Sequence, residues 1–311
     1  MRRSPAQVWM RRRAADRLAV LGYHGIEDAA QFARQLDLLL ETSVPVSLDR
    51  VEEAVRGGRA LPPYSVLVTF DDGDTSVHSV ALPLLAARGI PAVCFVVAGL
   101  IGTDTPFWWD EVEHLVRGGG RSRLLPRTDP VFAAHALKVL SERERQYALA
   151  ELRDTAAHPA PRREQLTVEQ VQELDVGGVV IGSHTLTHPC LDRCDDRQVE
   201  REVLGAHERL TAWLGRPVTA FAYPNGNEDA RAHRLLEKTG YRSGFLYNHR
   251  LARAEDPLRI DRLVVSTRTS ADRLACVLSG LHPAVFRAGR GVARAVARGA
   301  QPLARGASRS S

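Results

Sequence analysis

Apolar and polar positions fall into blocks along the chain. Short apolar runs at 19–24 (AVLGYH), 66–70 (VLVTF), 92–97 (AVCFVV), 179–182 (VVIG), 218–223 (VTAFAY), 243–247 (SGFLY) and 263–266 (LVVS) have the length and β-branched content of buried strands, and 44–48 (VPVSL) extends the set. Amphipathic stretches between them predict helices over 31–41, 49–56, 76–88, 109–117, 133–156, 167–175, 196–214 and 227–239. Thr167 followed by Glu169 and Gln170, and Asp195–Asp196, read as helix starts; Gly215 and Gly240 read as stops.

Strand and helix therefore alternate seven or eight times, which predicts parallel strands joined by crossover helices. An open doubly wound sheet and a closed barrel both satisfy that pattern. No G-x-G-x-x-G or P-loop follows a strand, which removes the commonest reason to prefer the open sheet. Residues 103–163 break the rhythm as a polar, Arg-rich, helical insertion with GGGRSR (118–123) as a joint. The expected organisation is a basic segment over 1–17, an α/β body over 18–270, and a C-terminal helix with a basic tail over 271–311.

Composition sharpens this only at the ends. The formal charge is +5. Residues 1–17 carry six Arg against one Asp, and 283–311 carry six Arg and no acid, so the body between them is acidic. The high pI thus reflects the termini and does not point to nucleic acid. Lys occurs only at 138 and 238. In 284–298, Arg287, Arg290, Arg294 and Arg298 share one helical face opposite Val285, Val292 and Val296, a pattern suited to weak peripheral contact with an anionic membrane, although glycines favour a disordered tail. Four scattered cysteines make no disulfide framework. No run reaches 18 apolar residues, and Asp16 and Arg17 interrupt any leader-like core, so a cytoplasmic location is expected. The oligomeric state is not encoded legibly.

Chemistry concentrates where apolar runs end. VLVTF runs into Asp71, Asp72 and Gly73, placing two like charges side by side at a strand end, where α/β folds collect their chemistry. VVIGSHTLTHP (179–189) ends in His184 and His188, with Pro189 disfavouring a helix through the pair. Two imidazoles and one carboxylate leave the open position of a catalytic metal site, and a dication would compensate both carboxylates. AFAYPNG (220–226) ends in a turn that can aim a backbone N–H at a reacting oxygen. A closed structural zinc site from the two His with Cys190 and Cys194 would leave Asp71 and Asp72 unpartnered. Trp108 and Trp109 read either as partly buried members of a helix start or as a sugar-stacking platform.

TFDDG (69–73), SHTLTHP (183–189) and YPNG (223–226) resemble the three leading motifs of polysaccharide deacetylases with a NodB-type domain, carbohydrate esterase family 4. YHGI (23–26), PLLAARGIPAVCFV (83–96) and LLEKTGYRSGF (235–245) match in flanking positions, so the resemblance spans roughly 18–266. It implies a distorted (β/α)7–8 barrel of the NodB/glycoside hydrolase-deacetylase type and hydrolytic removal of N-acetyl, less often O-acetyl, groups from an acetylated carbohydrate, polymeric or lipid-linked. Carried over by position, Asp71 is the general base, and Asp72, His184 and His188 hold a divalent metal. Zinc is the first expectation, with cobalt, nickel or manganese as alternatives. The metal would lower the pKa of a water and polarise the acetyl carbonyl. The amide of Asn225 would hold the oxyanion, and Tyr223, Pro224 and Trp109 would contact the sugar.

The chain departs from the family pattern twice. Phe221 stands where the third motif often has an Arg that orients the base, and the closing RIDRLVVS (259–266) lacks the late Leu-x-His that supplies a general acid. A leaving amine needs a proton, and His24, ending the first predicted strand, is the candidate donor or substrate contact. Two rival functions remain at this stage: a cyclic amide or imide hydrolase on the same barrel, and a non-catalytic sugar-binding module.

Overall fold

The computed structural model describes residues 5–125, 129–252 and 256–281. Nine strands appear in chain order: β1 (Ala19–Tyr23), β2 (Val44–Pro45), β3 (Ser65–Phe70), β4 (Ala92–Val96), β5 (Val179–Ser183), β6 (Ala220–Ala222), β7 (Ser243–Leu246), β8 (Ile260–Asp261) and β9 (Leu263–Val264). Eight of them run side by side in the order β8-β7-β6-β5-β4-β3-β1-β9, all parallel, with β2 attached to β3. The two ends of that path are consecutive in the chain. Ile260 pairs with Phe245 on one side, and Leu263 pairs with Leu21 on the other. Arg262 is the single residue between, so one short segment stitches β7 to β1 and the sheet becomes a nearly closed barrel.

Both faces of each central strand are apolar, as a barrel sheathed in helices demands. Leu21, Tyr23, Val68, Phe70, Cys94 and Val96 pack outward against the helices. Alternate residues Val20, Leu67, Val93 and Phe95 belong to a second cluster with Ala220, Phe245 and Ile260, which fills the barrel. Thr69 and Asp71 continue the inward series of β3. The helix Leu48–Val55 joins the inner cluster through Leu48 and Val51, and Glu52 accepts hydrogen bonds from Thr219 (3.1 Å) and Ser243 (2.8 Å) near the starts of β6 and β7. It plugs the N-terminal mouth and leaves the C-terminal mouth open.

The sequence-based element starts hold where caps were legible. Thr167–Gln170 and Asp195–Gln198 form reciprocal capping boxes, and Gly215 and Gly240 end helices at φ 66 and 89. The helix expected over 133–156 divides into Pro130–Leu137 and Glu142–Thr155, because Ser141 and Glu144 cap a new start. The closing strand is broken at Arg262. The basic N-terminal segment contains a helix, Pro5–Arg13, whose Gln7 donates to Ala275 O (2.7 Å) and Ser279 Oγ (2.9 Å). The insertion has its own small core, including Val112, Leu115, Leu137, Leu149 and Leu152. A helix Ala271–Leu278 begins the C-terminal region, while the basic stretch 284–298 lies outside the described residues. Among the described residues no helix is long and apolar enough to cross a membrane.

Candidate active site

Strand β3 delivers Asp71 and Asp72 to the open mouth. The Asp71 N–H donates to Tyr23 O (2.9 Å), which extends the β1–β3 ladder by one bond. Asp72 then turns left-handed at φ 69, and Gly73 follows at φ 79, so the two carboxylates diverge. Asp71 points into the barrel and meets Arg262, whose two terminal nitrogens lie 2.6 and 2.9 Å from its oxygens. Both side chains are fully buried. The guanidinium lies 4.0 Å from the Tyr247 ring centre and 5.3 Å from that of Phe95, so the cation rests on aromatic faces. Gly22 makes this possible, because a Cβ there would come within 2.4 Å of the Tyr247 hydroxyl.

Strand β5 delivers the histidines. The turn between them is strained, with Thr185 at φ 67 and His188 at φ 59. Two neighbours hold it. On one side, Ala98 N–H donates to Thr185 O (3.0 Å) and Gly99 N–H to Leu186 O (2.7 Å). On the other, the buried carboxylate of Glu202 accepts from Leu186 N (3.1 Å), Thr187 N (2.7 Å) and Thr187 Oγ1 (2.8 Å). His184 Nδ1 sits 2.8 Å from Ala222 O, an acceptor that fixes the proton there and leaves Nε2 free to ligate.

Asp72, His184 and His188 form the one group among the described residues able to share a metal ion. Asp72 Oδ1 is 3.6 Å from His184 Nε2 and 3.4 Å from His188 Nε2, and the two nitrogens are 3.2 Å apart. These spacings match the edge of about 3.3 Å expected of tetrahedral zinc with bonds near 2.0–2.1 Å. Asp72 Oδ1 is buried and has no hydrogen-bond partner. An orphaned carboxylate oxygen facing two imidazole nitrogens suits a cation, and the donor set of two nitrogens and one oxygen suits zinc. Cys190 and Cys194 are buried apart from this group, with Cys194 Sγ directed to Cys190 O.

Electrostatics separates the two carboxylates. Burial favours the neutral acid at Asp71, but Arg262, followed by His184, outweighs it and holds the carboxyl far below its usual range. Asp72 lacks such a partner, and burial pushes it up. Burial, then the neighbouring His184, pushes His188 well down, which keeps the imidazole neutral and able to ligate. Burial raises the Tyr247 phenol well above its ordinary value, so it remains a neutral hydroxyl.

These groups open into a cavity of about 600 Å³. His24, Trp109 and Asn225 of the sequence-expected set line it. His24 Nε2 is 4.0 Å from Asp72 Oδ2 and its ring stacks on Tyr247 at 6.1 Å. Trp109 stands edge-on to His188 at 4.7 Å, while Trp108 is buried and donates its Nε1–H to His188 O (3.1 Å). Asn225 occupies the turn after β6 at φ 57. Tyr223 and Pro224 are buried and fall outside the lining, with the Tyr223 ring against Phe221.

Four contributors escaped the sequence reading: Arg262, Tyr247, Glu202 and Lys138. Arg262 was in view as the centre of RIDRLVVS but carried no motif. Lys138, from the insertion, reaches the cavity and donates to Asn225 Oδ1 (3.1 Å).

Comparison with known proteins gives a consistent picture. A family model described as polysaccharide deacetylase matches residues 58–122 and 128–244. The poly-β-1,6-N-acetyl-D-glucosamine N-deacetylase of Escherichia coli K12 is 35% identical over 100 residues, 28% of this chain and 14% of that protein. The chain thus spans only a small part of that relative's length. Among solved structures, the Streptococcus pyogenes deacetylase PplD in complex with acetate aligns with TM-score 0.60 and 18% identity over 85% of this chain and 99% of its own. IcaB from Ammonifex degensii aligns with TM-score 0.59 and 24% identity over 85% and 97%. At these identities the structural matches speak for the fold, a NodB-type barrel.

Proposed function

The chain belongs to the polysaccharide deacetylase family, and from that premise we propose that it hydrolyses the acetamide of an N-acetylated sugar, in a polysaccharide or a lipid-linked glycan, releasing acetate and a free amine. Asp72, His184 and His188 would hold the divalent metal, with zinc preferred. Such an ion lowers the pKa of a water and polarises a carbonyl oxygen.

The chain's own residues supply the rest. Asp71 stays ionised at neutral pH because Arg262 faces it, and it stands beside the metal donors rather than among them, so it takes the proton of the attacking water. Arg262 fixes both Asp71 oxygens and thereby its direction. The Asn225 amide, in its left-handed turn, stabilises the oxyanion, and Trp109 offers an aromatic face to the sugar ring. His24, half exposed at the cavity and near Asp72 Oδ2, is placed to return a proton to the leaving nitrogen.

The observation that carries this reading is the division of labour between adjacent carboxylates: one paired with a buried guanidinium, the other orphaned toward two imidazoles. A cyclic amide hydrolase or a sugar-binding module gains no specific observation here. The test is acetate release from N-acetylated oligosaccharides by the metal-loaded chain, with and without chelator, for wild type and Asp71→Asn. Chelator-sensitive release that Asp71→Asn abolishes is expected; no release from any acetylated glycan, with glycan binding intact, would overturn it.

A further inference from the structure

The cavity carries a charge that deacetylation does not require. Its two carboxylates are already matched: Asp71 by Arg262, and Asp72 by the ion its geometry suits. Lys138 is left over. Its ammonium donates to a neutral amide oxygen, Asn225 Oδ1; its charge is felt at Asp72 across the cavity, but among the described residues no carboxylate bonds to it directly. Most arginines near the site are paired, as Arg163 is with Asp74 and Asp110. The cavity wall also includes Trp109, Asn227 and Asn248, none of them charged, the two amides donating to the carboxylates of Asp192 (3.0 Å) and Asp261 (2.6 Å). Lys138 is one of two lysines in a chain rich in arginine, and it enters the cavity only because the helix Pro130–Leu137 of the insertion ends there.

A cation with no carboxylate bonded to it, beside a partly enclosed cavity, raises the local concentration of anions. The acidic body of the chain would otherwise repel them. We propose that Lys138 is a specificity-determining residue and that the substrate is an acidic glycan, with a carboxylate or phosphate group within reach of the acetamide being cleaved. The proposal rests on the deacetylase reading and narrows its substrate class. Lysine suits the role in both variants, as a mobile point charge that tolerates different oxyanion geometries.

The test compares three probes on the zinc-loaded full chain: a neutral N-acetylglucosamine oligomer, one alternating with glucuronate, and N-acetylglucosamine carrying a phosphate monoester. Acetate release and equilibrium binding are both measured, for wild type, Lys138→Met and Lys138→Arg. Wild type should favour an anionic probe, and Lys138→Met should lower the anionic-to-neutral ratio of kcat/KM about tenfold, the order of one charge-assisted contact. Lys138→Arg should restore part of the ratio, and added salt should erode it in wild type but not in Lys138→Met. Preference for the glucuronate or the phosphate arm identifies the source of the charge. A wild type that favours the neutral oligomer, or a Lys138→Met variant that weakens all three probes equally, overturns the proposal. If no probe releases acetate, the deacetylase reading fails, and binding alone decides: anion binding lost in Lys138→Met upholds the role of Lys138, and unchanged binding removes it.

Discussion

Arg262 and Asp71 meet inside the barrel through two hydrogen bonds of 2.6 and 2.9 Å, both side chains sealed from solvent and 191 positions apart in the chain. The pair exists because the segment between β8 and β9 closes the barrel at Arg262. Removing one partner strands the other as a buried charge, at a cost of about 3–5 kcal/mol. Arg262→Met should therefore lower Tm and abolish activity together. Arg262→Lys keeps the charge but loses the fork, and is expected to fold while kcat falls at least about tenfold. Wild-type turnover in Arg262→Lys, measured on a folded, metal-loaded sample, would deny the pair any orienting role.

The Asp71–Arg262 pair marks the limit of what the sequence conveys. Strand runs and helix caps are local features, and Asp71–Asp72, His184 and His188 carry specific spacing, so the barrel and the trio that could share a metal ion are legible. The resemblance puts an arginine partner for Asp71 near YPNG, where Phe221 stands. The partner is Arg262, between β8 and β9, which meets Asp71 only once the barrel closes, and no local pattern marks that contact. Glu202 and Lys138 were hidden for the same reason, since each lies on a helical region that reads as an ordinary amphipathic surface. The buried fate of Tyr223 likewise depends on packing against Phe221, not on the motif it begins.

The metal donors give a direct expectation. His184→Ala should lose both stoichiometric zinc and acetate release, because it removes one of the three donors of the proposed site. Elemental analysis after exhaustive dialysis measures the first and an acetate assay of the variant with added zinc the second, with a chelator titration of wild type as the comparison. Full zinc retention in the variant would move the ion to Cys190 and Cys194.

Glu202 should tune that affinity without touching the ion. It accepts three hydrogen bonds from the turn whose left-handed Thr185 and His188 need external restraint. Glu202→Gln keeps the shape but replaces one acceptor oxygen with a donor facing donors. Outer partners of metal ligands commonly contribute 10–100-fold in affinity, so zinc Kd from chelator competition should rise about tenfold or more. Thr187→Val, which deletes only the hydroxyl bond, should give a smaller shift in the same direction. If Glu202→Gln lowers Tm of the metal-free protein but leaves zinc Kd unchanged, the carboxylate serves packing alone.

Gly22 and Tyr247 make a steric prediction. A Cβ at position 22 would meet the Tyr247 hydroxyl at 2.4 Å, so Gly22→Ala must displace the ring from beneath Arg262. Activity should fall while zinc binding persists, because Asp72, His184 and His188 lie on other strand ends. The same Cβ would also stand 2.6 and 2.9 Å from two ring carbons, so Gly22→Ala/Tyr247→Phe should recover little, whereas Gly22→Ala/Tyr247→Leu, which removes the ring, should recover part of the loss. Failure to recover would place the damage in the β1 backbone instead.

His24 is the proposed proton donor at the cavity, and that role can be tested by the pH profile. An acid must be protonated to act, so activity that depends on a general acid falls on the alkaline limb of kcat against pH. His24→Ala should lower kcat by about 10²–10⁴-fold, the usual contribution of a positioned acid, and remove that limb while leaving the acidic limb in place. Substrates with a better leaving group need less help, so the deficit should shrink on an activated aryl acetate. A variant with normal turnover and an unmoved alkaline limb would assign His24 to the cavity wall and leave the amine to draw its proton from Asp71 after the first transfer.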